Sequence, residues 1–128
     1  MTANARSPRP GPFPVRRVYD PAAPADGTRL LVDRLWPRGV SKERAHVDEW
    51  LKDIAPSKEL RSWYHEDRDG RYDAFAERYR AELTEPVRAD LVDHVRELAG
   101  RGTVTLVTSV KDVEHSHVPV LARHLEEA

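Results

Sequence analysis

Two runs of apolar residues constrain this chain more than anything else in it. Leu30-Leu31-Val32 and Val104-Thr105-Leu106-Val107-Thr108 lack the polar alternation of a half-wet strand, so each reads as a strand covered on both faces. Between and after them lie three helical stripes: Tyr72, Phe75, Ala76, Tyr79 and Leu83; Val87, Leu91, Val95 and Leu98 behind Pro86; and Val118, Leu121, Ala122 and Leu125. Each stripe places apolar groups on one side of a 3.6-residue repeat. Strands separated by helices predict an α/β domain, with a mostly parallel sheet of three to four strands flanked by helices on both faces.

The 128 residues suffice for one core without a disulfide or a structural metal. The absence of cysteine excludes thiolate catalysis and thiolate zinc sites. With 21 basic against 22 acidic side chains, no whole-protein field draws in nucleic acid. No apolar run approaches the roughly 18 residues of a membrane span, and no hydrophobic region follows the N-terminal arginines. A cytoplasmic protein without a membrane partner is expected; composition says nothing of oligomeric state.

Residues 1–14, with Pro8, Pro10, Pro12 and Pro14, read as a disordered or extended leader to a single domain over 15–128. A first strand is expected over Val15–Tyr19 and a second over about 28–34. Ser41 and Ser57 are placed to cap short helices over 42–45 and 58–64, the latter ending before Asp67-Arg68-Asp69-Gly70. Residues 47–54 fit helix or strand.

Ligands of such a sheet bind outside the carboxyl ends of its strands. Two turns belong there: Asp33-Arg34-Leu35-Trp36-Pro37-Arg38-Gly39 and Lys111-Asp112-Val113-Glu114-His115-Ser116-His117. Arg34, Arg38 and Lys111 suit a carboxylate or phosphate, Asp33 and His117 suit proton handling, Trp36 can cover a ligand, and Asp112 can cap a helix or join the site. Each has a plainer reading: Asp33 as a turn or ion-pair residue, the arginines as solvated groups, Trp36 as packing. His115 and His117 form a weak metal pair, since residues two apart share no helix face. No cofactor motif occurs, Walker A and Gly-x-Gly-x-x-Gly included.

Val32-Asp33-Arg34-Leu35-Trp36-Pro37-Arg38-Gly39-Val40, together with Val18-Tyr19-Asp20, Trp50 to Ser57, Phe75 to Leu83 and Val104 to His117, resembles the YeaO-like branch of the bacterial domain-of-unknown-function 488 family. The resemblance spans roughly residues 15–125. It implies a compact α/β domain and a strand within 47–54, and it names no activity. The wider family pairs an Asp-bearing strand end with a Cys-His-Arg element after the last strand. The corresponding residues here are Ser116-His117-Val118, which keep the histidine and lose the thiol and the arginine.

The expectation is therefore an enzyme or sensor that binds an anionic, nucleotide-like small molecule between the two turns. A non-catalytic module for protein or nucleic acid, and a histidine-based metal-binding protein, stand as alternatives. If the two turns form one site, Asp33 must lie near His117.

Overall fold

The computed structural model describes residues 13–127. Four strands, β1 (Val15–Arg17), β2 (Thr28–Leu31), β3 (Glu49–Trp50) and β4 (Val104–Thr108), form one parallel sheet in the order β1-β4-β2-β3. The last strand in sequence is thus interior, and all five of its residues are buried. Leu30 stands opposite Leu106 and Leu31 opposite Val107, while Val15 faces Leu106 from the other side. Parallel neighbours need long crossovers, and five helices supply most of them: α1 (Lys42–Ala45), α2 (Lys58–His65), α3 (Arg68–Glu82), α4 (Pro86–Ala99) and α5 (His117–Glu126).

The two faces of the sheet are covered unequally. Leu30, Val32, Val104 and Leu106 join the main core with Tyr64 of α2, Phe75 and Tyr79 of α3, Val92 and Val95 of α4, and Val118, Leu121 and Leu125 of α5. Leu31 and Val107 point the other way, into a small cluster with Val18 and Ala45 of α1, edged by Trp36, Val40 and Val47. Helices therefore flank both faces, but the second carries only one turn of helix and a loop. That loop is held by Arg29, whose buried guanidinium donates to the Ala45 and His46 carbonyls at 3.1 and 2.9 Å and pairs with Asp26 at 2.7 Å.

Several boundaries differ from expectation, each for a local reason. Regular pairing of β2 stops at Leu31, although the Val32 N–H still donates to the Val107 carbonyl at 3.1 Å. Residues 47–54 divide: Glu49–Trp50 pair with β2, and Lys52–Ile54 turn as a 3₁₀ helix. α3 begins earlier than the Asp67–Gly70 break suggests, because Asp67 caps it by accepting from the Gly70 N–H. Asp112 caps no helix with its side chain, and Ser116 starts α5 instead. Residues 1–12 of the expected leader lie outside the described residues. Phe13 is buried in the main core, and the Pro14 carbonyl accepts from the Leu106 N–H at 2.8 Å.

Candidate functional site

β2 and β4 are neighbours whose chains leave on opposite sides of the sheet: β2 leads toward α1 on the thinly covered face, β4 toward α5 on the main core. Such a divergence opens a crevice at the strand ends. A cavity of about 280 Å³ lies there, with Asp33, Arg34 and Leu35 from the first turn and Ser109, Val110, His115, Ser116 and His117 from the second on its wall. The two expected turns do meet: Asp33 Oδ1 is 3.6 Å from His117 Nε2.

Asp33 locks that meeting. It is buried, and its carboxylate accepts from the Thr108 hydroxyl at 2.7 Å, the Ser109 N–H at 2.7 Å and the Ser109 hydroxyl at 3.0 Å. Three donors from β4 and its exit thus hold the end of β2, and they occupy the lone pairs that a general base would use. His117 is equally fixed. Since the Val32 carbonyl is only an acceptor, the 2.9 Å contact means that Nε2 carries the hydrogen. Burial pushes the imidazole pKa down, and Arg61 opposes a charge there as well; Asp33 and the Val32 carbonyl pull the other way without overcoming burial. The ring is neutral, and Nδ1 has no hydrogen-bond partner among the described residues.

Ser116, where the wider family carries a thiol, is consumed by the backbone. Its hydroxyl donates to the Val113 carbonyl at 2.7 Å and accepts from the Val118 N–H at 3.1 Å. Tyr64 and Tyr72 pin the same loop by donating to the carbonyls of His115 and Ser116 at 2.7 and 2.9 Å.

The opposite wall comes from α2 and the start of α3: Arg61, Tyr64, His65 and Arg68. Ser57 sets the direction of α2. Its hydroxyl accepts from the Leu60 N–H, while Glu82 of α3 accepts from the Ser57 N–H at 2.9 Å and the Ser57 hydroxyl at 2.5 Å. With Leu60 and Tyr64 buried, Arg61 and His65 fall on the side facing the cavity. Arg68 lies over the Tyr64 ring at 5.8 Å, and its nearest carboxylate, Asp112, is 4.0 Å away. Among the described residues, neither Arg34 nor Arg61 is within 4.0 Å of a carboxylate, and the buried Nε of Arg34 has no hydrogen-bond partner.

Other expected ligand groups do not line this cavity. The Trp36 indole donates to the Val40 carbonyl at 2.6 Å and packs edge-on to Trp50, whose own indole donates to the Asp33 carbonyl at 2.7 Å. Arg38 and Lys111 are exposed. Asp112 accepts from or pairs with His115 at 2.9 Å. That pairing, and the commitment of His117 to Val32, separate the two histidines; among the described residues no group of three or more metal-ligating side chains could hold an ion. Arg61, His65 and Arg68 were missed by the reading of turns alone. Their i, i+4, i+7 spacing is a basic stripe visible in the sequence, but nothing local says which sheet edge it faces.

The family described as "Inactive DUF488-N3 subclade" matches residues 12–128. An uncharacterised protein of Mycobacterium tuberculosis (strain ATCC 25618 / H37Rv) is 48% identical over 111 residues, 87% of this chain and 91% of that protein. The uncharacterised protein YeaO of Escherichia coli (strain K12) is 43% identical over 107 residues, 84% of this chain and 90% of its own length. No solved structure matches the chain. No helix among the described residues is long and apolar enough to cross a membrane.

Proposed function

The chain belongs to the DUF488-N3i family, and on that premise we propose that it is a ligand-binding module that holds an anionic small molecule at the carboxyl edge of its sheet without converting it. One observation carries the reading: Arg34 and Arg61, unpaired with any carboxylate among the described residues, share a cavity with Arg68, while the only acid on its wall, Asp33, is already saturated by donors. Guanidinium groups collected in a concave, partly dry site attract an anion far more strongly than the same groups in water. The lack of turnover is supported by the commitments of the reactive candidates. Asp33 lacks a free acceptor, the Ser116 hydroxyl caps α5, and the neutral His117 is tied to a main-chain carbonyl. The family's description as inactive accords with this.

The experiment is a thermal-shift screen against phosphate, sugar phosphates, nucleotides and small carboxylates, repeated on Arg61→Ala. A ligand at a hundred times its Kd stabilises the wild type by about 2.7 kcal/mol. The variant keeps its unliganded stability to within about 0.5 kcal/mol, as exposed or half-exposed sites generally do, and loses most of the ligand-induced gain. Absence of stabilisation by every anion, or an undiminished gain in the variant, overturns the reading.

A further inference from the structure

The cavity wall has an uneven charge and one unanswered lone pair. Three arginines stand against one aspartate, and with the histidines neutral this leaves an excess of two positive charges on the wall. A single carboxylate cannot balance it, whereas a phosphate monoester, which approaches two negative charges at neutral pH, can. The unpartnered Nε of Arg34 is one donor still to be used. His117 adds a demand of the opposite kind. Its Nε2 hydrogen is given to the Val32 carbonyl, so Nδ1 presents a lone pair and needs a donor. Protein donors near it are spoken for: the Ser109 hydroxyl and N–H go to Asp33, and the Ser116 hydroxyl goes to Val113.

We infer that the ligand is a hydroxylated or N–H-bearing organic phosphate monoester, whose phosphoryl group meets Arg34, Arg61 and Arg68 and whose donor meets His117 Nδ1. This rests on the anion-binding reading above and narrows it. A cavity of about 280 Å³ exceeds the needs of a bare tetrahedral anion, and Ala55, Pro56, Leu35 and Val110 line it with apolar surface suited to the organic part.

The test titrates the full chain calorimetrically with inorganic phosphate, n-propyl phosphate, glycerol 1-phosphate and dimethyl phosphate. The propyl and glycerol esters share a carbon skeleton and differ in hydroxyl groups. The glycerol ester is expected to bind several-fold to about tenfold more tightly, the range of one added hydrogen bond to a poorly hydrated acceptor. Dimethyl phosphate, with one charge, binds more weakly than either monoester. In protein carrying ¹⁵N-labelled histidine, the His117 Nδ1 resonance moves upfield with the glycerol ester and stays in place with the propyl ester. Equal affinities for the two monoesters, or an unmoved Nδ1 resonance on saturation, remove the donor assignment and leave anion binding intact. Equal affinity for the diester removes the dianion assignment. If none of the four binds, the anion-binding reading falls with the inference.

Discussion

Asp33 shows how a residue at the right place for catalysis can serve structure. At the end of β2 it reads equally as a base or as a turn residue, and its three hydrogen bonds decide for the second: Thr108 and Ser109 sit 75 and 76 residues away in sequence. Replacing it with asparagine leaves the shape unchanged but turns one acceptor oxygen into an NH₂ group that faces donors. Asp33→Asn is therefore expected to lower unfolding free energy by about 1–3 kcal/mol, the cost of mispairing a buried polar group, measurable by urea denaturation. An unchanged midpoint would show that these bonds contribute nothing net and would return Asp33 to the list of functional acids. Trp36 is the complementary case. Beside Arg34 it suggested a ligand cover, yet its indole hydrogen is used four residues along, at Val40, and its ring meets Trp50.

Among the elements, the connections around the sheet are set at a few backbone positions. Gly27, between the 3₁₀ turn Pro24–Asp26 and β2, has φ of 63° and ψ of −133°, and a Cβ there would overlap the Thr103 backbone carbonyl. Gly39 has φ of 77° but open space around its missing side chain. These two separate steric overlap from simple backbone preference. Gly39→Ala is expected to cost about 1 kcal/mol, the left-handed penalty alone; Gly27→Ala costs clearly more, because the Thr28 N–H to Thr103 carbonyl bond that begins β2 must shift as well. Equal losses of stability for the two variants would refute the overlap. The helices were largely legible from their stripes, and Ser41, Ser57 and Pro86 mark starts that the structure keeps. Asp112 was not legible as a non-cap, since the choice between it and Ser116 depends on Tyr64 and Tyr72 pinning the intervening loop.

For the whole molecule, the buried titratable groups predict a stability profile with two acid steps. The His117 pKa is depressed in the fold, so below the ordinary imidazole value of 6.5 the unfolded chain takes up its proton first. Stability is then full above about that pH and declines as pH falls beneath it. His124 is depressed in the same direction by burial and by Arg96 and adds to the same window. Asp26 is held below its ordinary 3.8, first by the Ala23 N–H and then by Arg29, so its contribution is present above that value and is lost as pH falls through the lowered one. Unfolding free energies measured from pH 8 to pH 3 should show the first decline near pH 6, and His124→Gln should reduce it without abolishing it. A flat profile between pH 7 and pH 5 would mean that His117 is charged in the fold.

From the sequence alone came the α/β class, the positions of the buried strands, the helical stripes and the pair of turns that meet at Asp33 and His117. These are carried by periodicity and by capping residues, which act within a few residues of themselves and so can be read locally. The order β1-β4-β2-β3, the arrival of Arg61, His65 and Arg68 at the same edge, and the diversion of Trp36 into packing were decided only by tertiary structure. The strand order follows from which apolar faces can be covered together, and the fate of each polar group follows from partners up to 85 residues distant, as with His117 and Val32. A turn sequence specifies which groups reach the edge of the sheet; the groups brought against it from the rest of the chain determine which of them remain free to bind.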